Sequence, residues 1–282
     1  MTSPTPAGHP GPSANSISVM FTPAFQVDGF FPDVALVSAD STAFHVHTRR
    51  LLAASTNAFG GLLAHAAPGF VAVPESAAVL NIVLHLIYGM SCLHFQPSLE
   101  STEAALDALI KYGVPPPQLA ASRPLHQLLL SYAPYRPIEA YALAAHHGLE
   151  DAAVAISGHL LAYDLSKLTD ELTVKMGPIY FNRLVGLHQA RNRALRDIAL
   201  RPPASHPLTP TCNEEEQAKL KRGWAFASAD IVWNTLPNVS TATLQSAFAQ
   251  AGASVTCPDC HMMLRDRIQE AMKEWLAVKT TI

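Results

Sequence analysis

Strand-like and helix-like periods separate along this 282-residue chain, and that separation limits what it can fold into. Residues 34–37 (VALV) form a short apolar run after Pro32-Asp33. Residues 42–47 alternate, with Phe44 and Val46 on one face, and residues 69–75 (GFVAVPE) alternate again. Ala39-Asp40-Ser41 is turn-like, so the first two runs read as a hairpin. Beyond Pro117 the strand signals nearly vanish. Segments 123–132, 138–147, 152–163 and 178–200 follow one another between Pro or Gly breaks, at the spacing of packed helical hairpins. Strands first and helices last make an α+β chain: a short sheet flanked by helices, then an all-α extension.

Local signals refine this. Thr48 can cap a helix through Leu51, Leu52 and Ser55, and Gly60-Gly61 breaks or bends it. Residues 76–88 (SAAVLNIVLHLIY) are apolar nearly all round, which marks a buried helix with His85 as a core histidine. Another helix opens at Pro97-Ser98 and stops at Lys111-Tyr112-Gly113, ahead of three prolines at 115–117. Residues 201–210 (RPPASHPLTP) are the clearest linker. Asn213 then caps a helix with three glutamates in its first turn and Lys219, Lys221 and Arg222 in its last. A final helix over 262–278 gathers Leu264, Ile268, Ala271, Met272 and Trp275 on one face. The expected organisation is a disordered tail over 1–24, an α+β domain over 25–116, a helical extension over 117–200, a linker over 201–212 and a helical region over 213–282.

A hydrophobic content of 49% against 15% charged supplies a sizeable core, and a net charge of −3 offers no long-range attraction to nucleic acid or an anionic membrane. The arginines at 191, 193, 196 and 201 read as a solvated helix face. No apolar run approaches the roughly 18 residues of a membrane span, and the first sixteen residues lack the pattern of a signal peptide. Four cysteines without a secretion signal point to reduced thiols in cytosol or nucleus, so the sequon at Asn238 carries little weight. The motifs GxSxG, GxxxxGK[ST] and GxGxxG are absent, and no enzymatic activity is expected.

Two groups of residues invite a metal. His45 and His47 share one strand face but have no third ligand nearby. Cys257-Pro258-Asp259-Cys260-His261 is better: a CxxC supplies two of the four ligands of a structural zinc, and Cys212 with His206 or His261 could complete it. Of these, Cys212, Cys257, Cys260 and His261 form the expected set. The plainer alternative is that the two thiols cap the last helix and no cofactor is bound.

Laid end to end, Phe31-Pro32-Asp33-Val34, Phe44-x-Val46-His47 leading into Leu51 through Ser55, the helix ending in Ile87-Tyr88, and Ala108-Leu109-Ile110-Lys111-Tyr112-Gly113-Val114 resemble a BTB/POZ domain. The segment from Pro137 to Glu150 resembles the helical region that follows it in fungal, basidiomycete-like proteins of this type. The resemblance implies a non-catalytic protein-interaction module that pairs with a second copy of itself and scaffolds an unidentified partner. It makes Asp33, Phe44, His47, Leu51, Leu52, Ser55, Tyr88, Tyr112 and Gly113 fold or dimer residues, with His47 tying the second strand to the first helix. Some members bridge substrates to a cullin ubiquitin ligase through a hydrophobic-x-Glu contact. Here the loop at 62–69 holds no carboxylate, Glu75 lies beyond the expected place, and Thr48 replaces the usual basic residue. A tail CxxC is often paired with another upstream, whereas here Cys212 stands alone with Glu215 three residues on. The remaining alternative is a transcription or chromatin scaffold using the basic run, although nucleic acid is not an expected partner.

Overall fold

The computed structural model describes residues 14–64, 69–234 and 236–282. It is an α+β protein that divides into two compact units. One comprises the chain up to Arg136 with Leu143–Ala152, the other Pro137–Ala142 with Ala153–Ile282. The division falls later than residue 116, inside the helical extension.

The first unit carries a four-stranded sheet in the order β1-β3-β2-β4. β2 (Val34–Val37) and β3 (Thr42–Val46) form the expected hairpin, while β1 (Ser16–Ile17) runs parallel to β3 and β4 (Phe70–Ala72) parallel to β2. The turn between β2 and β3 is held by Ser38, whose Oγ donates to Asp40 and accepts from the Thr42 N–H, with Ser41 at φ 62°. All four residues of β2 are buried, as a short continuous apolar run requires. Helices α1 (Thr48–Ala54), α2 (Ala77–Ile87), α3 (Leu99–Lys111), α4 (Pro116–Ala120) and α5 (Arg123–Tyr132) complete the unit. Ser76, Ser98 and Ser122 each cap a helix by accepting a backbone N–H three residues on.

Two expectations need correction here. The tail does not extend to residue 24, because Ser16–Ile17 pairs with β3 and Phe21 is fully buried against Phe44 and Tyr88. Residues 1–13 lie outside the described residues. His47 does not share a strand face with His45, because β3 ends at Val46 and His47 occupies the N-cap position of α1.

α6 (Pro137–His146) and α7 (Glu150–Ser157) are divided between the units. The second unit continues with α8 (Asp170–Ala199), bent at Gly177 (φ 72°) just before Pro178, then α9 (Glu214–Asn234), α10 (Thr241–Ala249) and α11 (Pro258–Leu276). Asn213 caps α9 as expected, accepting the Glu216 N–H. The helix runs well past Arg222, however, so the basic cluster sits in its middle. α10 had no expected counterpart; Ser240 of the sequon caps it by accepting the Thr243 N–H.

Trp224 stacks on Phe248 at 4.1 Å in the core of this unit. Next to Trp224, Gly223 lets α9 pass the turn at 250–252 so closely that an added Cβ would lie 2.4 Å from the Ala251 carbonyl oxygen. Arg191 departs from the expected solvated face. It is buried, donates to the carbonyls of Pro237, Val278 and Lys279, and lies 4.2 Å over the Trp275 ring.

Candidate metal centre

Cys257 stands at the N-cap of α11, with Pro258 in the first helical position, and Cys260 follows one turn later on the same helix face. A tight turn in which Thr209 and Cys212 exchange both backbone hydrogen bonds presents Cys212, and Asn213 then starts α9. Gln217 of α9 donates to the His206 carbonyl and anchors the linker against the helix.

These elements bring four side chains together. Cys212 Sγ lies 3.7 Å from Cys260 Sγ, and His206 Nε2 lies 3.4 Å from Cys257 Sγ and 3.3 Å from Cys260 Sγ. The ligand atoms of His206, Cys212, Cys257 and Cys260 all fall within 4.8 Å of one another. A tetrahedral ion with bonds of about 2.3 Å to sulfur and about 2.0 Å to nitrogen has edges of roughly 3.5–3.8 Å. The cluster could therefore hold a metal ion with little movement. His206 is also prepared for this role: its Nδ1 donates to the Pro207 carbonyl at 2.7 Å, which leaves the Nε2 lone pair facing the thiols.

All three cysteines are buried and none forms a disulfide. Cys257 does not close a capping hydrogen bond, but the nearby backbone N–H groups, that of Cys260 first, hold its thiol below the ordinary range. Burial pushes Cys260 up to about 12. Binding a cation there would require the thiols to give up their protons, against the burial that raises Cys212 and Cys260.

His261 does not belong to the cluster. One residue beyond Cys260 on a helix, it is turned by about 100° and its Nε2 meets the Val255 carbonyl at 2.8 Å. The fourth member is His206, which sequence proximity had placed second.

The BTB-like residues form a separate structural network in the first unit. His47 accepts from the Tyr88 hydroxyl at Nδ1 and donates from Nε2 to the Phe30 carbonyl, while its backbone N–H bonds the same hydroxyl. Asp33, just before β2, accepts the Thr48 N–H at 2.7 Å and so caps the start of α1. Ser55 donates to the Tyr112 carbonyl at 2.6 Å. Tyr112 stacks on Phe59 at 4.1 Å and donates to Glu75, which also pairs with Lys111. Gly113, at φ 77°, packs where a Cβ would meet Asn57 Oδ1 at 2.4 Å. Phe44 and Leu51 are core residues, whereas Leu52 is exposed. Glu75 was missed as a structural residue, since nothing local marks a half-buried carboxylate.

Two buried histidines, outside the cluster, set a pH response. His85 Nδ1 donates to the Asn81 carbonyl and His188 Nε2 to the Leu160 carbonyl; burial holds both rings below the ordinary histidine range. The folded chain keeps them neutral, while the unfolded chain takes up protons at about pH 6.5. Their stability contribution is therefore complete above that pH and declines as pH falls below it. Urea midpoints measured down a pH series should show a steeper loss for the parent than for His85→Gln. Metal ligands are common to both chains, so equal slopes would refute this assignment.

No protein-family model, curated protein or solved structure matches this chain.

Proposed function

We propose that this chain is a non-catalytic interaction module in which a BTB/POZ-like first unit pairs two copies, joined to a helical unit held by a structural zinc ion. Exposed apolar surface on the first unit carries the pairing. Phe30 and Phe31 are 60% and 61% exposed, and Val19, Met20 and Leu52 are exposed as well. Phe30 and Phe31 line a cavity of about 190 Å³ with Asp33, His47, Arg49 and Arg50. The exposed Phe30 and Phe31 beside this charged rim support a protein-interface reading.

The zinc assignment follows from ligand chemistry. Three thiols and one imidazole form a soft, closed set of four, which suits zinc and leaves no position for a substrate. The ion would staple the 201–212 linker to the start of α11.

Light scattering on the full chain should give a mass near twice 30.3 kDa. Phe31→Glu combined with Leu52→Glu should shift it to the monomer, and a parent chain that is itself monomeric would overturn the pairing. The cullin-adaptor alternative has less support. Glu75 is occupied by Tyr112 and Lys111, and residues 65–68 of the relevant loop lie outside the described residues. We expect no mass shift on mixing with a cullin N-terminal fragment. For the chromatin alternative, Arg191 is buried and Arg201 pairs with Glu274, which removes two of the four charges of the basic run. Among the described residues no helix is long and apolar enough to cross a membrane.

A further inference from the structure

Where α8 ends against α9, the second unit leaves an open groove of about 360 Å³. Its lining is largely apolar: Leu200, Pro202, Ala225 and Val232, above the buried Trp224. The helix-end carbonyls that would otherwise make this place polar are already taken. Arg267 donates to the Ile198 and Arg201 carbonyls, and Trp224 Nε1 and Ser228 Oγ both donate to the Ala199 carbonyl. What remains at the groove edges is cationic, Arg196 from α8 and Lys221 from α9. Among the described residues neither has an ion-pair or hydrogen-bond partner for its side chain.

The apolar surface continues past the groove. At 100° per residue, Phe226 and Trp233 fall beside Ala229 on the outer flank of α9, and they are 78% and 89% exposed. Leu200, on the opposite edge, is 64% exposed. An apolar channel of this kind with unpaired cations on both sides is complementary to a helix with one apolar face and carboxylates flanking it. We propose that this groove receives an acidic amphipathic helix from a partner protein, with aliphatic side chains seated on Leu200 and Val232 and carboxylates reaching Arg196 and Lys221. The whole chain carries a net charge of −3, so the cationic edge is a local feature, and Arg196 and Lys221 alone set the sign of partner it accepts. The site lies wholly within the second unit and does not depend on pairing through the first.

The test is a fluorescence-anisotropy titration of the full, zinc-loaded chain with a labelled synthetic helix bearing leucines on one face and glutamates on its flanks. The same helix with lysine in place of glutamate serves as comparison. We expect saturable binding of the glutamate helix alone, weakened about tenfold or more by Arg196→Glu with Lys221→Glu, and by raising salt to about 1 M. Both positions are at the surface, and Arg196→Gln with Lys221→Gln provides a milder pair if charge reversal disturbs folding. No saturable binding, equal binding of the lysine helix, or unchanged affinity in both variant pairs would each overturn the proposal. A change in the chain's own mass on charge reversal would overturn it too, by identifying the groove as a self-interface. None of these outcomes bears on the zinc assignment or on the effect of Phe31→Glu.

Discussion

Cys260→Ser should leave the purified chain without stoichiometric zinc and lower its unfolding free energy by about 4–5 kcal/mol or more, the range reached when a structural metal is lost. Zinc-finger peptides, which have almost no other core, draw about 10–16 kcal/mol from the ion. The second unit also buries Trp224, Phe248, Leu264 and Trp275, so the full amount is not expected to appear as lost stability. Cys260 is the sensitive ligand because its sulfur touches both Cys212 and His206 across the cluster. His206→Ala should weaken binding while keeping three thiolates, whereas His261→Ala should keep one zinc per chain. The measurements are metal content per chain and urea unfolding with and without a chelator. If Cys260→Ser still carries one zinc, or if chelation leaves the midpoint unmoved, the centre is not a metal site.

Arg191→Met should cost about 3–5 kcal/mol, although the residue touches no metal and its hydrophobic replacement fills much the same volume. One guanidinium satisfies three carbonyls from two separate segments, Pro237 at 2.7 Å, Val278 at 3.0 Å and Lys279 at 3.1 Å, while covering Trp275. Without it, the buried Pro237 carbonyl left unpaired costs about 1–3 kcal/mol, and the part-buried carbonyls of Val278 and Lys279 lose a charged donor as well. Arg191→Lys should recover only a fraction, because a single ammonium cannot reproduce a planar fork that both donates to carbonyls and stacks on an indole. Denaturant unfolding followed through tryptophan fluorescence reads both effects. A loss below about 1 kcal/mol for Arg191→Met would mean that water replaces the guanidinium without penalty and that the segment over 278–279 is held by other contacts.

Much of the architecture was legible along the chain. The hairpin over 34–47, the buried helix after Ser76, the stop at Gly113, the cap at Asn213 and the apolar face of the last helix all depend on residues within a few positions of one another. Period, capping and backbone restriction act at that range, so they survive in a linear reading. The CxxC belongs to the same class: three residues apart at a helix start, two thiols must share a face.

Interactions across 37 residues or more were a different matter. Proximity in sequence favoured His261 as the fourth ligand, but the rotation of α11 carries it away, and the fold of the 201–212 linker delivers His206 in its place. Arg191 looked like part of a solvated basic run, because nothing adjacent to it foretells three carbonyls from residues 237, 278 and 279. Glu75 and Tyr112 meet in the same way, where the end of α3 reaches the segment between β4 and α2. The sequence by itself determined where most of the helices and the central hairpin lie, and which of their faces are apolar. Only the tertiary structure decided which polar groups are buried together, because the cost of burying a charge or a lone pair depends on partners that chain folding alone brings within reach.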